Sequence, residues 1–284
     1  MDDYALLDAG DGARLERFGP VITDRPHAGA LAPRRDPDAW RTADLRFDRE
    51  GGWSRDDDGP IEPWSVRIHD LEMGLRATDA GQVGLFPEHA STLDWLTEQV
   101  RTRTTTEPPD VLHLFAHTGL ATLALARAGA AVAHVDASRP AVAWARENAV
   151  RNGLEDRPIR WLVDDVSGFV AREVRRGRRY DGVVLDPPTY GHGARGTHAW
   201  RIESDLWPLL AAAATLLASD GFILLTAHTE DLGPEGLHDA LRVAWGVSAE
   251  AAEAGPLTLD SAAGGHLDLG AFVRWDRRWP TARP

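Results

Sequence analysis

The chain has 284 residues, of which 43% are hydrophobic and 26% charged, values that predict a folded globular protein long enough for a catalytic domain and a smaller appendage. Its net charge of −13 argues against a broad nucleic-acid-binding surface, because phosphate contacts require an excess of basic residues. The chain has no cysteine, which excludes disulfides, thiolate metal sites and a cysteine nucleophile.

No apolar run reaches the roughly 20 residues that a membrane helix requires. The first residues are acidic, whereas a secretory signal begins with basic ones. We therefore expect a cytoplasmic protein without membrane contact. All 31 basic residues are arginine, which we interpret as the mark of a GC-rich genome.

The first part of the chain, residues 1–85, predicts a small β-rich N-terminal domain. The predicted strand segments are Tyr4–Leu7, Arg14–Phe18, Val21–Asp24 and a group around 64–75. The turn Gly10-Asp11-Gly12 lies between the first two segments, and Asp-Gly flanked by alternating apolar residues is a strong hairpin signal. Loops are predicted at Gly51-Gly52 and at 56–60.

A linking helix within 86–109 leads to a second domain, residues 110–284. Ser91 opens this helix, and the polar, proline-ended stretch Thr104–Pro109 ends it. From Asp110 onward, short β-like runs alternate with longer helical ones. This order produces a parallel sheet with crossover helices.

Seven strands are predicted in the second domain. They are Val111–Phe115, Ala131–Val135, Ile159–Val163, Gly182–Leu185, Phe222–Thr226 and a terminal pair near 247–259 and 268–275. The predicted helices lie near 119–128, 138–152, 167–176 and 203–218, with one more helix between 235 and the terminal strands. The sequence therefore predicts an α/β fold with a doubly wound, mostly parallel seven-stranded sheet.

A glycine turn and an acid follow the first two strands. Leu114–Gly119 leads directly into a helix, and Gly119 permits the close backbone approach that a ligand needs. A pyrophosphate-binding turn would have several glycines, whereas this one has a single glycine. Asp136 ends the second strand, where a carboxylate accepts hydrogen bonds from both hydroxyls of a ribose. Both positions predict ligand binding at the carboxyl edge of the sheet.

The next two strands also end in acids. Asp164 and Asp165 follow the third strand, and either one accepts a hydrogen bond from an adenine amino group or caps the next helix. The string Asp186-Pro187-Pro188-Thr189-Tyr190 follows the fourth. Its prolines fix the backbone and remove two amide donors, which leaves the carbonyls and the carboxylate as rigid acceptors. This set suits a planar substrate with an amino group or a ring nitrogen, on which Tyr190 would stack; a plain tight turn is the alternative.

Five segments resemble the motifs of a known family in order and spacing. They are Leu114–Gly119, Val135–Ser138, Trp144–Asn148, Asp164–Val166 and Asp186–Tyr190, within a similarity that runs from about Gly84 to Thr226. The family comprises the S-adenosylmethionine-dependent ribosomal RNA methyltransferases related to large-subunit methyltransferase I. Gly84–His89 resembles the segment that borders the cofactor in these proteins. The N-terminal domain resembles the small RNA-binding module of some members.

The resemblance implies S-adenosyl-L-methionine as the cofactor. The cofactor-binding residues that it implies are Phe115, Ala116, His117, Thr118, Gly119, Asp136, Ala137, Ser138, Asp164, Asp165, Val166 and Asp186. The glycine turn would line the methionine end, Asp136 and Ala137 would hold the ribose, and Asp165 with Val166 the adenine. The predicted catalytic residues, on the substrate side, are Asp186, Pro187, Pro188 and Tyr190.

The missing cysteine decides between two kinds of methylation. In the related enzymes that methylate carbon 5 of cytosine, a cysteine after the fifth strand attacks the ring first; this chain has Thr226-Ala227-His228-Thr229 there. A ring nitrogen or an amine needs no covalent step, because its lone pair attacks the methyl group directly. The Asp186–Tyr190 string also resembles the enzyme that modifies nitrogen 7 of guanine in large-subunit RNA. We therefore expect N-methylation of a base in ribosomal RNA.

Two further features carry weaker signals. The glycine-rich loop 191–198 would close over a substrate; His192, His198 and Arg201 are candidate contacts or simply solvated residues. These histidines lack a carboxylate at ligand spacing, so we predict no metal site. An arginine cluster late in the third crossover helix contacts RNA phosphates or is a solvated helix end that the helix dipole favours. Its members are Arg172, Arg175, Arg176, Arg178 and Arg179.

Three other functions stay open at this point. The acidic net charge favours a protein or small-molecule substrate. A cofactor-binding protein without turnover would keep the pocket, although the intact Asp186–Tyr190 string argues against it. A nicotinamide-dependent oxidoreductase shares the fold class but would need the missing glycines. We expect ribosomal RNA as the partner and leave a homodimer open.

Overall fold

The computed structural model describes residues 3–57, 59–103, 106–191, 199–229, 232–248 and 251–278. The chain divides into two compact units, one of residues 1–91 and 258–269 and the other of 92–257 and 270–284. The first unit thus includes a late segment, 258–269, that no local sequence pattern connects to the N-terminus. Within the described ranges, no helix is long and apolar enough to cross a membrane.

The first unit contains a five-stranded sheet and a separate hairpin. The sheet strands, in spatial order, are β1 (Tyr4–Gly10), β2 (Ala13–Phe18), β3 (Val21–Pro26), β4 (Leu45–Asp48) and β5 (Gly52–Ser54), and the hairpin strands are β6 (Trp64–Ile68) and β7 (Leu71–Leu75). The predicted Asp-Gly hairpin is confirmed, because Asp11 and Gly12 join β1 to β2 with φ of 53° and 79°. Two positive φ values are what a type I′ turn requires. The loop predicted at Gly51-Gly52 is wrong for Gly52, which begins β5 and pairs with Asp48.

An ionic cluster is buried in the first unit. Glu16 is fully buried, and its Oε2 lies 2.5 Å from Nη2 of Arg25 and 3.2 Å from Nε of Arg14. The Tyr4 hydroxyl donates to Oε1 of Glu16 at 3.0 Å. Burial acts to raise the pKa of Glu16, but the charges of Arg14 and Arg25 outweigh it and hold the pKa below its ordinary value.

Helices and strands alternate from residue 90 onward. The elements are α1 (Ala90–Arg101), β8 (Asp110–Leu114), α2 (Leu120–Ala128), β9 (Ala131–Asp136), α3 (Arg139–Arg151), β10 (Ile159–Val163), α4 (Val166–Arg175), β11 (Tyr180–Leu185), β12 (Tyr190–Gly191), β13 (Trp200–Arg201), α5 (Ile202–Ala214), β14 (Leu217–Ala227), α6 (Pro234–Trp245), β15 (Glu253–Asp260) and β16 (His266–Asp276). This alternation confirms the predicted α/β class.

The central sheet has seven strands in the order β10-β9-β8-β11-β14-β16-β15. The first five are parallel to their neighbours, and β16 is antiparallel to β14. The chain builds outward from β8 to β9 and β10, then crosses to β11 on the other side of β8. In open α/β sheets, ligands bind at such a switch point, beyond the carboxyl ends of the strands.

Helices cover both faces of this sheet. Leu112 and Leu114 of β8 belong to the apolar cluster that contains the buried residues of α4, α5 and α6. On the opposite face, His113 contacts Thr122 of α2, and Phe222 of β14 packs edge-to-face on Trp95 of α1 at 5.7 Å. The sheet is therefore doubly wound, as predicted.

Three predicted boundaries are wrong. The helix predicted at 203–218 ends at Ala214, because Leu217 already pairs with Tyr180 and begins β14. Phe115 is not the end of β8, since its φ of 56° is incompatible with a strand. The strand predicted from residue 247 begins at Glu253.

Candidate functional site

The tips of the parallel strands lie in one row because the strands are in register. Leu114 of β8 pairs with Val135 of β9 and with Leu185 of β11, and Leu185 pairs with Leu225 of β14. On the far side of β9, Asp136 lies opposite the last residue of β10. The structure thus brings the glycine turn and the predicted acids to one edge of the sheet, as the sequence predicts.

The turn after β8 has a strained backbone. Phe115, His117 and Gly119 have φ of 56°, 48° and 93°, left-handed values that are costly for the two residues with side chains. A Cβ at Gly119 would lie 3.1 Å from Cβ of Ala145, so a side chain would be both strained and crowded here. Strain that a fold maintains next to a switch point favours a functional role for this turn.

Asp136 organises the same turn. Its Oδ2 accepts a hydrogen bond from the backbone N–H of His117 at 2.8 Å, and its Oδ1 accepts one from Ser138 at 2.8 Å. A carboxylate has about four acceptor positions, so Asp136 keeps capacity for a ribose hydroxyl. The Ser138 hydroxyl caps α3 by accepting from the N–H of Ala141 at 3.2 Å. Its assignment to the cofactor, like that of Ala137, stays a prediction.

The two acids after β10 have partners within the protein. Asp165 caps α4, since its Oδ1 accepts from the N–H of Gly168 at 2.7 Å, and Asp164 accepts a hydrogen bond from Arg172. The capping alternative therefore holds for Asp165. Val166 is buried at the start of α4, and the adenine contact predicted for this segment stays a prediction.

The string after β11 is partly engaged within the protein. Asp186 directly follows β11 and is partly exposed, Pro187 is buried, and Tyr190 is 67% exposed. The Pro188 carbonyl accepts a hydrogen bond from Nε1 of Trp200 at 2.7 Å. One of the predicted acceptor carbonyls is therefore already engaged, while Tyr190 is open for the stacking contact that the sequence predicts.

Trp200 connects two strand tips. Its indole bonds Pro188 after β11, and its ring packs on Phe115 after β8 with 4.8 Å between centroids. Only 8% of Trp200 is exposed, so both contacts are fixed by packing. Sequence reasoning missed this residue, because no local pattern connects it to either tip.

Two residues at the end of β14 contact Asp186. Oγ1 of Thr226 lies 2.6 Å from its Oδ1, and Nε2 of His228 lies 3.1 Å from the same oxygen. From the sequence, these two residues draw attention only because they stand where related enzymes have a cysteine. Their polar side chains at the tip of a strand are the sequence signal that could have identified them.

A buried polar chain supports the turn after β8. Oγ1 of Thr122 lies 2.7 Å from Nδ1 of His113 and 2.9 Å from Nδ1 of His134. Burial lowers the pKa of His134 well below its ordinary value, and nearby positive charges act in the same direction. His134 is therefore neutral near pH 7 and serves as support for the turn, since its ring lies 3.8 Å from the position of a Cβ at Gly119.

The remaining predicted contacts divide into two groups. His192 and His198 lie outside the described residues. Arg201 is exposed in β13, and its backbone N–H donates to Asp205 at 2.7 Å; its contact with a substrate stays a prediction.

The arginine cluster of α4 is partly neutralised by acids. Arg176 lies 2.8 Å from Glu173, and Arg178 lies 2.9 Å from Asp110. Helix α4 begins at the carboxyl edge of the sheet and runs away from it for ten residues, about 15 Å. Its C-terminal residues therefore lie away from the strand tips, and Arg172, which is nearer to them, is paired with Asp164. Both facts favour the solvated helix end over an RNA contact.

The chemistry of this edge suits a cationic nucleoside. Its row of carboxylates, from Asp136 to Asp186, would repel a pyrophosphate and attract a positive charge. The close approach at Gly119 and the acceptor capacity of Asp136 fit a ribose and its attached groups. The residues therefore fit S-adenosylmethionine, whose sulfonium is positive, better than a nicotinamide dinucleotide.

Comparison with known proteins gives a family match over most of the chain. The family model described as S-adenosylmethionine-dependent methyltransferase matches residues 41–245. The chain is 35% identical to the S-adenosylmethionine-dependent methyltransferase from Agrobacterium tumefaciens, with a TM-score of 0.90 over 97% of this chain and 91% of that crystal structure.

Curated relatives match over a smaller part. The ribosomal RNA large subunit methyltransferase K/L of Methylococcus capsulatus is 34% identical over 170 residues, which is 58% of this chain and 22% of the relative. The ribosomal RNA large subunit methyltransferase K of Neisseria meningitidis is 32% identical over 141 residues, which is 49% of this chain and 38% of the relative. The chain thus spans well under half the length of these relatives. Both are large-subunit ribosomal RNA methyltransferases, as predicted, but they are methyltransferases K/L and K, whereas the sequence motifs resemble those of methyltransferase I.

Proposed function

The chain belongs to the S-adenosylmethionine-dependent methyltransferase family, which confirms the family and cofactor predicted from its sequence, and from this premise we propose that it methylates a nitrogen of a base in ribosomal RNA. The observation that carries the proposal is the Asp186–Tyr190 string at the switch point, next to the glycine turn. A rigid acceptor set beside an exposed aromatic ring suits a planar base. The ribosomal RNA methyltransferases among the relatives support RNA as the substrate.

When bound, S-adenosylmethionine supplies a methyl group to a nucleophile's lone pair; the carbon–sulfur bonding pair stays on sulfur, and an amine nucleophile releases one proton. We assign its methionine end to residues 115–119, its ribose to Asp136 and Ala137, and its adenine to Asp165 and Val166. The carboxylate of Asp136 is the anchor of this assignment, because it holds the turn through His117 and keeps capacity for a hydroxyl.

The chain orients the substrate rather than attacking it. With no cysteine, the covalent route to carbon 5 of a pyrimidine is closed. Asp186 accepts a hydrogen bond from the base, the two prolines keep that acceptor rigid, and Tyr190 stacks on the ring. Alignment of a lone pair behind the methyl group is then most of the catalysis.

The acidic net charge is compatible with this substrate if recognition is local. Stacking on an exposed aromatic contributes about 1–3 kcal/mol per base without any basic surface. We place the reaction in the cytoplasm, where a ribosomal RNA substrate is found.

Mass spectrometry of ribosomal RNA nucleosides from cells with and without the gene tests the proposal. We expect one N-methylated nucleoside to disappear on deletion and to return with the wild-type gene but not with Asp186→Ala. Asp220→Ala, an exposed acid at the opposite end of β14, is the matched control and should restore it. An unchanged nucleoside profile on deletion would exclude ribosomal RNA as the substrate. Loss of a carbon-5-methylated nucleoside on deletion would exclude N-methylation as the reaction.

A further inference from the structure

The orientation of Asp186 is set by two residues that the predicted site does not include. Thr226 lies at the carboxyl end of β14 and His228 directly follows the strand, and both contact Oδ1 of Asp186. We propose that they are positioning residues, which hold this carboxylate in the orientation that methyl transfer requires. The inference rests on the proposed function, in which Asp186 orients the substrate nitrogen.

Thr226 donates the first hydrogen bond. Its hydroxyl has one proton, and its Oγ1 lies 2.6 Å from the Asp186 carboxylate but 3.3 Å from the carbonyl oxygen of Leu185. The shorter distance is that of a charge-assisted hydrogen bond, so the proton belongs there. Thr226 is only 1% exposed and pairs with Phe272 of β16, and a β-branched side chain in a strand has few rotamers. The donor is therefore rigid.

His228 provides the second donor. An ionised carboxylate is only an acceptor, so Nε2 of His228 must be protonated at its 3.1 Å distance from Asp186. Ala227, the residue between the two donors, pairs with Ala271 of β16, which fixes the chain on either side. The parallel pairing of Leu185 with Leu225 then aligns this strand end with Asp186.

Two donors on one oxygen fix the rotation of the carboxylate. With one donor, the Asp186 side chain could still turn about that bond; with two, the direction of its other oxygen is set as well. A misplacement of about 1 Å in a reacting geometry costs roughly 100-fold in rate. Thr226 and His228 thus act through Asp186, without touching the substrate.

Matched variants separate positioning from simple packing. Thr226→Val and His228→Phe remove the donors at similar size, whereas Thr226→Ser and His228→Gln keep a donor near the same place. The substrate is ribosomal RNA from cells that lack the gene, and the readouts are kcat, KM, thermal midpoint and the calorimetric affinity for S-adenosylhomocysteine. We expect Thr226→Val and His228→Phe to lower kcat about 10- to 100-fold while KM and the affinity for S-adenosylhomocysteine change less than about twofold. Thr226→Ser and His228→Gln should recover most of the rate.

Two results overturn the inference when wild-type protein is active. One is full kcat in Thr226→Val and His228→Phe. The other is a loss of kcat that follows the thermal midpoint equally in all four variants, since that is the sign of a structural role.

If the wild-type protein transfers no methyl group to ribosomal RNA, that result would contradict the proposed function instead. The inference is then decided by the ¹⁵N NMR signals of the His228 ring in the full chain. We expect an Nε2-protonated ring whose signals shift in Asp186→Ala and in Thr226→Val but not in the Asp220→Ala control. Ring signals that are identical in wild type and Asp186→Ala would show that the contact does not exist.

Discussion

Two carboxylate sites, one in each unit, are arranged in opposite ways. In the first, Glu16 is fully buried and surrounded by Arg14, Arg25 and Tyr4, so its charge is neutralised inside the fold. In the second, Asp136 and Asp186 are held by protein donors yet remain partly exposed at a sheet edge. The first arrangement specifies packing, whereas the second keeps an oriented carboxylate available to a ligand. Substitution of Glu16 should therefore lower stability, whereas substitution of Asp136 or Asp186 should lower binding or methyl transfer.

The largest effect is expected for Glu16→Ala. Removal of Glu16 leaves the buried Arg25 without its carboxylate partner and takes from Arg14 one of two nearby acids, the other being Glu88. Breaking one partner of a buried pair costs about 3–5 kcal/mol. The free energy of unfolding in urea at pH 7 measures this loss. Glu16→Gln, which keeps an oxygen acceptor for Arg25, should lose less. A loss for Glu16→Ala below about 1 kcal/mol, as for exposed pairs, would erase the difference between the two sites.

Asp136→Ala tests whether the partly exposed carboxylate at the tip of β9 binds the cofactor. The substitution removes an acceptor for the ribose and releases the N–H of His117, so we expect the affinity for S-adenosylhomocysteine to fall about 10- to 100-fold, or about 1.4–2.7 kcal/mol. Isothermal titration calorimetry measures this change, with Asp220→Ala as the control of equal charge. Unchanged affinity would mean that the tip of β9 does not hold the cofactor.

Acid should destabilise the fold through two histidines, the buried His134 and the half-buried His27. Burial is the main cause of a lowered pKa in both histidines. The pKa of His134 lies well below its ordinary value, and that of His27 is lowered to about 4. Below about pH 6.5 each of these two histidines binds more protons in the unfolded chain than in the folded one. Their contribution to the free energy of unfolding is therefore fully present above that pH and falls as the pH drops, by up to about 1.4 kcal/mol per pH unit for each histidine. The contribution of His27 should level off below about pH 4. Urea unfolding from pH 7.5 to 4 should give a shallower slope for His134→Gln than for wild type, and equal slopes would exclude His134.

The smallest effect is expected for Trp200→Phe. The ring contact with Phe115 remains, but the hydrogen bond to Pro188 is lost, which costs about 0.5–1.5 kcal/mol. Because that bond fixes the substrate-side string, we expect a decrease in kcat of about threefold to tenfold with the affinity for S-adenosylhomocysteine unchanged. A variant that loses affinity and keeps kcat would assign Trp200 to the cofactor side instead.

The features that sequence could predict are those with local signals. The Asp11-Gly12 turn, the cap at Ser138 and the glycine and acids at the strand tips each follow from residue type and neighbouring pattern. Parallel strands place their tips at one edge, so the position of Asp136 and Asp186 in one row also follows from the order of elements.

The features that sequence could not predict depend on pairing between distant segments. Thr226 and His228 reach Asp186 only because β14 pairs with β11 in register, and Trp200 reaches Phe115 from β13, where it pairs with Gly191. Strand β5 begins at a glycine, a residue that normally favours a turn. The membership of 258–269 in the first unit has no local signal at all, because it depends on contacts such as that of Ser261 with Leu7.

Transfer of an isotope-labelled methyl group tests most directly whether Asp186 orients a nitrogen of a ribosomal RNA base for methylation. Ribosomal RNA from cells lacking the gene is incubated with labelled S-adenosylmethionine and either wild-type or Asp186→Ala protein, then digested to nucleosides for mass spectrometry. We predict a single labelled nucleoside with the methyl group on nitrogen for wild type and at least a 100-fold lower yield for the variant. Label on carbon or label only in protein would exclude N-methylation of ribosomal RNA, and equal yields from the two proteins would exclude a role for Asp186 in it.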